Sequence, residues 1–164
     1  MQNNKTLKKV LIANRGEIAV RIVRACSEMG IRSVAIYTEP DRYALHVKRA
    51  DEAYSLGEDP LAGYLDPQRI VNLAVETGCD AIHPGYGFLS ENAEFARICE
   101  SKGVAFIGPK AYVINKMGDK TQARDSMRAA GVPITPGSDG NIANLDEALK
   151  TALIIGYPVM VRPS

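Results

Sequence analysis

Residues 9–37, KVLIANRGEIAVRIVRACSEMGIRSVAIY, decide the fold class of this chain. The apolar run Val10–Ala13 is short and precedes a turn that contains glycine, a pattern typical of a buried parallel strand. A helix is predicted next, because apolar residues recur at the spacing of one helical face, at Ile18, Ile22, Cys26 and Met29. Gly30 predicts the end of this helix, and residues 33–37 predict a second strand. The unit is therefore β-α-β, with parallel strands and a right-handed crossover.

The same alternation of strand and helix continues to about residue 109. Short apolar runs predict strands near residues 53–56, 81–82 and 104–107. Between them, Asp66 is a predicted N-cap before a first-turn proline, and Ser90 is predicted to cap the next helix. About five strands with interleaved helices predict the α/β class: an open, parallel, Rossmann-like sheet with helices on both faces.

The pattern changes after Pro109. A short helix is predicted first; Asp119 and Asn144 then each stand three residues before a glutamine or glutamate, the spacing of a capping box. A strand is predicted at residues 159–162. A lone helix and strand cannot bury their apolar faces, so we expect the segment from about residue 133 to be the start of a larger domain.

The composition excludes several classes of protein. The 164 residues are 46% hydrophobic and 24% charged, with 20 basic and 19 acidic side chains. This is an ordinary globular composition, unlike that of a disordered or collagen-like chain. The near-zero net charge gives no electrostatic reason to propose nucleic acid or an anionic membrane as a partner. Small molecules and proteins are the expected partners.

Two features bear on the cellular location. No stretch approaches the roughly 20 apolar residues that span a bilayer, and residues 1–9 are polar with no signal-peptide core behind them. The three cysteines have no C-x-x-C spacing and lie in apolar patterns, which is typical of reduced, partly buried thiols. We therefore expect a cytoplasmic protein, with the mitochondrial matrix open if a targeting segment has been removed.

The first strand-to-helix turn, Asn14–Glu17, lies where open α/β sheets bind ligands. It has one glycine instead of the G-x-G-x-x-G fingerprint, and Glu17 places negative charge where a pyrophosphate would bind. A dinucleotide is therefore disfavoured, and a structural role is favoured, that of a tight turn whose acidic residue complements the helix dipole.

A charged surface is predicted on the same helix. Arg21, Arg24 and Glu28 lie opposite the apolar face, and Arg24 and Glu28 have the spacing of an ion pair. These residues predict either a solvated surface or a subunit contact, since arginine is favoured in interfaces.

Residues 83–92, HPGYGFLSEN, follow a predicted strand and lead into a helix. Glycines let the backbone approach a ligand closely, Tyr86 offers a flat apolar face, and the free N–H groups of a helix start lie just beyond. The stretch predicts a binding loop, with a rigid turn as the alternative. His83 does not separate the two, because a histidine at a strand end is commonly structural.

Of two basic residues late in the chain, Lys120 is a candidate phosphate contact, whereas the residues around Arg162 do not decide its role. Lys120 places an ammonium group in the first turn of a predicted helix, where the helix dipole disfavours it. This position indicates either a nucleotide phosphate or an exposed lysine. Arg162 alternates with Val161 on the last predicted strand and so faces the side of Met160.

These landmarks together resemble the biotin carboxylase family, the ATP-grasp component of biotin-dependent carboxylases such as acetyl-CoA, propionyl-CoA and pyruvate carboxylases. The matching stretches are KVLIANRGEIAVRIVRAC, ADEAY, HPGYGFLSEN, FIGP, MGDK and GVPITPGSDG, in this order over nearly the whole chain. The resemblance implies a pre-ATP-grasp domain at residues 1–109, a helical linker at 110–132 and the truncated start of an ATP-grasp lid at 133–164.

The resemblance also implies an activity. The family carboxylates biotin on a carrier protein, using ATP to activate bicarbonate through carboxyphosphate, with Mg²⁺ balancing the phosphate charge. Lys120 matches the family lysine that reaches the nucleotide. Arg162 stands where the family usually has a lysine for ATP.

Two further groups of residues follow from the resemblance. The biotin-adjacent loop contains His83, Tyr86 and Gly87. The homodimer surface contains Arg21, Arg24 and Glu28. A biotin carboxyl carrier protein and a carboxyltransferase are the expected partners in the parent complex.

The sequence departs from the family in two respects. The glycine-rich lid loop, the magnesium-binding glutamates, the general base and the bicarbonate-binding arginine lie beyond Ser164. We therefore expect no catalytic residue, no metal ligand and no activity in this chain alone, and no tight binding of ATP, Mg²⁺ or biotin. Residues 161–164, VRPS, look more like carbamoyl-phosphate synthetase, and an arginine there would hold phosphate bidentately.

Two other functions stay open. A non-catalytic dimerisation or interaction module would use the charged surface of the first helix. A carbamoyl-phosphate synthetase segment would explain the last four residues, but the HPGYGFLSEN stretch weighs against it. The sequence does not determine which acyl-CoA or keto acid finally receives the carboxyl group, or whether the parent is a separate subunit or a multidomain chain.

Overall fold

A computed structural model describes residues 6–138, 140 and 142–161. The chain divides into two compact units, Met1–Asn115 and Lys116–Ser164. The first unit contains one sheet of five strands: β1 (Lys9–Ile12), β2 (Arg32–Tyr37), β3 (Glu52–Ser55), β4 (Ala81–His83) and β5 (Ala105–Phe106). Every pair of neighbouring strands is parallel, so the predicted open α/β sheet is confirmed.

The strand order β3-β2-β1-β4-β5 places β1 at the centre of the sheet. Leu11 in β1 stands opposite Val34 in β2 on one side and opposite Ile82 in β4 on the other. The chain runs outward from β1 to β3 and then returns to build the other half of the sheet. The strand order therefore reverses between β1 and β4, which is where open α/β sheets form a ligand-binding crevice.

Four helices of the first unit accompany the sheet: α1 (Gly16–Glu28), α2 (Leu45–Arg49), α3 (Pro67–Glu76) and α4 (Ala93–Ser101). Successive strand residues point to opposite faces, so β1 contributes to two cores. Val10 and Ile12 pack in clusters with the buried residues of α1, and Leu11 packs in a cluster with those of α3 and α4. The prediction of helices on both faces is confirmed.

The buried face of α1 differs from the prediction. Ala19, Val23 and Cys26 are buried, whereas Met29 is 72% exposed. Ile22 is half-buried between two clusters. The sheet lies beneath the Ala19–Val23 side of the helix, and small residues there allow the helix backbone to approach the strands closely. Apolar spacing alone did not show this, because α1 is apolar over a broad arc.

The start of α4 also differs from the prediction. Asn92, and not Ser90, is the N-cap, since its Oδ1 accepts a hydrogen bond from the Phe95 amide at 3.0 Å. Ser90 instead donates its amide to Gly87 O, within the preceding turn. The predicted cap of α3 is confirmed, because the Asp66 side chain accepts from the Arg69 amide. The short helix α2 and the 3₁₀ turns at Glu39–Asp41 and Ala62–Leu65 have too few residues for a periodic signal.

Helix α5 (Ala111–Gly118) crosses the boundary between the units, and α6 (Lys120–Ala129) and α7 (Leu145–Ile155) belong to the second. The predicted caps are confirmed: Asp119 Oδ1 accepts from the Gln122 amide at 3.0 Å, and Asn144 Oδ1 accepts from the Glu147 amide at 2.9 Å. The predicted strand at 159–162 is wrong over 159–161, which have no partner strand in the described part of the chain. The division at residues 109 and 132 stays a prediction.

Candidate functional site

The candidate site lies beyond the carboxyl ends of β1 and β4, at the position where the reversal of strand order defines a crevice in open α/β sheets. Its two walls are the turn after β1, residues 13–17, and the loop after β4, residues 84–92. The Ala13 amide donates to the His83 carbonyl oxygen at 2.9 Å, so the two strand ends lie side by side. The crevice brings together the predicted binding loop and the turn after β1, for which the sequence favoured a structural role.

Asn14 joins the two walls. Its side chain is 1% exposed, and its Nδ2 donates to the carbonyl oxygens of Pro84 at 2.8 Å and Tyr86 at 3.0 Å. Its Oδ1 accepts from the Arg15 amide at 2.9 Å. One buried amide group therefore ties the turn after β1 to the loop after β4.

Left-handed backbone shapes the loop. Gly85 has φ +66°, and a Cβ there would lie 2.7 Å from Ile18 Cγ2 and 2.8 Å from Asn14 Nδ2. Gly87 has φ +69°, but no atom lies within 4 Å of the place a Cβ would take. Phe88 has φ +45°, which is uncommon for a residue other than glycine. Gly85 thus permits close packing inside the protein, and Gly87 leaves backbone open to the outside.

Tyr86 forms an exposed wall of the crevice. Its ring is 59% exposed, and its hydroxyl donates to Glu17 Oε1 at 2.6 Å. The hydrogen bond to this carboxylate, at the start of α1, raises the pKa of the Tyr86 phenol. The ring therefore stays neutral and presents a flat face beside Gly87.

His83 contacts the backbone of the loop that follows it. It is half-buried, and its Nδ1 lies 3.0 Å from the Gly85 amide, from which it accepts a hydrogen bond. Burial lowers the pKa of the imidazole, so the neutral ring is favoured at neutral pH. The hydrogen bond from the Gly85 amide to His83 therefore stabilises the backbone of the loop.

A partly buried network supports the turn after β1 from the β2 side. Arg15 Nη2 lies 2.5 Å from Asp41 Oδ1, and the Tyr64 hydroxyl donates to Asp41 Oδ2 at 2.8 Å. Burial of Asp41 opposes its ionisation, but the hydrogen bonds from Arg15 and Tyr64 outweigh it and lower the pKa of the carboxyl group. Sequence reasoning missed these residues and the bridging role of Asn14, because no local pattern links positions 26 or 70 residues apart.

The other predicted site residues lie outside the crevice or outside the described residues. Arg24 and Glu28 are on the exposed face of α1, with Arg24 Nε 2.7 Å from Glu28 Oε1, and Arg21 is exposed on the same helix. Lys120 begins α6, as predicted, but its side chain lies outside the described residues, as does all of Arg162. Within residues 6–138, 140 and 142–161, no group of three or more His, Cys, Asp or Glu side chains is placed to hold a metal ion.

No helix in the described part of the chain is both long and apolar enough to cross a membrane. The three cysteines are buried and unpaired. Burial raises the pKa of the Cys99 thiol to about 12 and also raises that of Cys26 and Cys79. These side chains are therefore thiols at neutral pH, as the sequence predicted.

Two known sequence families match this chain. The family described as "Biotin carboxylase, N-terminal domain" matches residues 6–114 and includes the whole crevice. The family described as "Carbamoyl-phosphate synthase L chain, ATP binding domain" matches residues 119–164.

Curated relatives match at 50% identity or more. The 2-oxoglutarate carboxylase small subunit of Hydrogenobacter thermophilus is 58% identical over 96% of this chain and 33% of the relative. Biotin carboxylase 1 of Bacillus subtilis is 58% identical over 95% of this chain and 35% of the relative. The chain thus spans about a third of the length of these relatives.

Solved structures of biotin carboxylase domains also match this chain. The biotin carboxylase domain dimer of Hydrogenobacter thermophilus 2-oxoglutarate carboxylase, in complex with MgADP and bicarbonate, matches 94% of this chain with 57% identity and a TM-score of 0.89, over 34% of its own length. The biotin carboxylase domain of a single-chain bacterial carboxylase matches 94% of this chain with 46% identity and a TM-score of 0.87, over 36% of its length.

Proposed function

The chain belongs to the biotin carboxylase N-terminal domain family, and from this membership we propose that it forms the N-terminal part of an ATP-dependent ligase. The ligase carboxylates biotin on a carrier protein with bicarbonate as the source of carbon. The match over residues 6–114 carries this proposal, because it includes both walls of the crevice.

The crevice fits the chemistry of biotin. The ureido ring is small and flat, with two N–H donors and one carbonyl acceptor. Tyr86 supplies an exposed flat wall, and the open space beside Gly87 lets a ring approach the backbone. This part of the chain would hold and orient the ring, and it contributes no acid or base to the reaction.

ATP and Mg²⁺ would supply the driving chemistry, by phosphorylating bicarbonate and balancing the phosphate charge. Lys120 and Arg162 are proposed to contact the nucleotide. The supporting feature for Lys120 is that it is the first residue of α6, because the N-terminus of a helix also favours a phosphate. The remaining groups for catalysis are proposed to lie in the part of the parent protein that corresponds to the other two thirds of the relatives.

The proposal includes partners. We propose that Arg21, Arg24 and Glu28 contact a second copy of the protein. Support comes from the exposed charged face of α1 and from the dimer of the related Hydrogenobacter domain. A biotin carboxyl carrier protein and a carboxyltransferase are the further proposed partners, and the cytoplasm is the proposed location.

The test uses a chimaera in which this chain replaces the matching third of Biotin carboxylase 1 of Bacillus subtilis. We expect the chimaera to cleave ATP in a manner that depends on both biotin and bicarbonate. The 164-residue chain alone should show no such cleavage, because phosphoryl transfer relies on positioned charges that we propose to lie in the rest of the parent protein. A folded chimaera without biotin-dependent cleavage would overturn the proposal, as would activity of the chain alone.

A second candidate function is that of a non-catalytic interaction module. The observation in its favour is the ion pair between Arg24 and Glu28, whose side chains are 77% and 62% exposed on one helix face. Sedimentation of the chain at high micromolar concentration, with Arg24→Glu as the comparison, tests it. A dimer that the substitution dissociates supports the module, and a strict monomer excludes it.

A further inference from the structure

We infer that Asn14 is a positioning residue, which sets the backbone of residues 84–86 and thereby places Tyr86 and Gly87 against the ligand. The inference rests on the proposed function, since the ligand in question is biotin. Asn14 itself is buried, so it would act on the ligand through the loop.

The hydrogen bonds of Asn14 converge on one peptide segment. Both hydrogens of its amide nitrogen are donated, one to Pro84 O and one to Tyr86 O, and these carbonyls flank Gly85. The loop curls tightly around the amide, because a Cβ on Gly85 would lie 2.8 Å from Nδ2. The third bond, from the Arg15 amide to Oδ1, fixes the orientation of the amide group within the turn after β1.

Position 14 requires a side chain of the size of asparagine that can donate two hydrogen bonds. An aspartate has nearly the same size and keeps the acceptor for the Arg15 amide, but it offers no hydrogen to the two carbonyls. Those carbonyls would lose their partner next to a buried negative charge. The loop would then move to reach other donors or water.

Movement of this loop bears directly on the ligand. The residue that follows the second carbonyl is Gly87, beside which the space is open. Tyr86, whose own carbonyl is held, carries the exposed ring. A displacement on the order of 1 Å at such contacts costs up to about a hundredfold in rate or binding.

The experiment compares three variants in the chimaera. Asn14→Asp removes the two donors, and Gly85→Ala pushes the loop from the opposite side without a change of charge. Asn72→Asp is the matched control, because Asn72 is exposed on α3 and accepts one hydrogen bond, which an aspartate can also accept.

We expect Asn14→Asp and Gly85→Ala each to raise the KM for free biotin about tenfold. The KM for ATP and any ATP cleavage in the absence of biotin should stay unchanged, which separates a positioning role from general damage. Asn72→Asp should leave all three values unchanged. In the isolated chain, Asn14→Asp and Gly85→Ala should each change the backbone amide NMR shifts of residues 83–89. The shifts of β2 and α3 should remain those of the unsubstituted chain.

The inference would be overturned by an unchanged KM for biotin in both variants, or by equal changes in the KM for biotin and for ATP. An unsubstituted chimaera that folds but lacks biotin-dependent cleavage would contradict the proposed function and not this inference. In that case the NMR shifts still decide whether Asn14 holds the loop, and constant shifts in residues 83–89 contradict it.

Discussion

The two units of the chain bury very different amounts of apolar surface. The first has a core on each face of its sheet, with Leu11, Ile82 and Phe95 fully buried. In the described part of the second, Ala152 is the one buried apolar residue, and α7 exposes Leu145, Leu149, Leu153 and Ile154. The helices of the second unit are capped, but its described residues form almost no hydrophobic core. The first unit is therefore stabilised by tertiary burial, and the second depends on local hydrogen bonds.

The largest expected loss of stability follows from creating a cavity in the core of the first unit. Phe95→Ala removes a ring that is fully buried against the sheet and edge-on to Phe106. We expect the free energy of unfolding to fall by about 3–5 kcal/mol. Urea denaturation followed by circular dichroism measures the loss. A loss near zero would show that the first unit is not organised around this core.

The second test uses pH. Buried His46 has a lowered pKa, chiefly because burial disfavours the charged ring, and its Nδ1 has no hydrogen-bond partner among the residues that the structure describes. The unfolded chain, with a histidine pKa of about 6.5, binds the proton first as the pH falls. The folded state should therefore lose stability as the pH drops from 7 to 5.5.

His46→Gln is the control for this pH dependence. A glutamine does not titrate, so the free energy of unfolding of this variant should change less between pH 7 and pH 5.5. Asp41 does not interfere, because its pKa is lowered from the ordinary carboxyl range and it remains ionised throughout. Parallel pH profiles for the two proteins would contradict the assignment to His46.

The third test compares two helix caps. Asn92 caps α4 in the first unit and Asn144 caps α7 in the second, each through a side-chain oxygen that accepts a backbone amide. Asn92→Ala should lower the free energy of unfolding by about 1 kcal/mol. Asn144→Ala should instead speed hydrogen exchange within α7 alone. If Asn144→Ala also destabilised the sheet, the two units would not be independent.

The smallest expected effect concerns the exposed face of α7. Leu153 is 73% exposed, so Leu153→Lys loses little burial in this chain. We expect a change within about 0.5 kcal/mol in the free energy of unfolding. The same substitution in the chimaera of Biotin carboxylase 1 shows whether further sequence covers this face, since a covered leucine would then cost several times more.

Short-range signals of the sequence were sufficient for most elements. The strands β1 and β2, the crossover α1, and the caps Asp66, Asp119 and Asn144 were all predicted, because each depends on residues within one or two turns. The wrong cap at Ser90 has a local cause as well. Two polar residues stood two positions apart, and only the turn geometry around Gly87 selected Asn92.

The candidate site was predicted in part. HPGYGFLSEN was predicted as a binding loop, since glycines around an aromatic residue are a local signal, whereas the turn after β1 was considered and a structural role was favoured for it. Their pairing was not predicted, because the parallel contact of β1 with β4 crosses 70 residues of chain. The structure therefore added Asn14 and Glu17, which contact the loop from the other wall.

The sequence by itself determined the α/β class, the order of most elements and the membership of a family, since these follow from hydrophobic periodicity and from short motifs. The tertiary structure alone decided which strands are neighbours, which side of α1 is buried and what holds the crevice loop in place. The physical reason is the range of the interactions. A cap or a turn is settled within a few residues, whereas a buried amide such as that of Asn14 finds its partners only after the sheet has brought distant segments together.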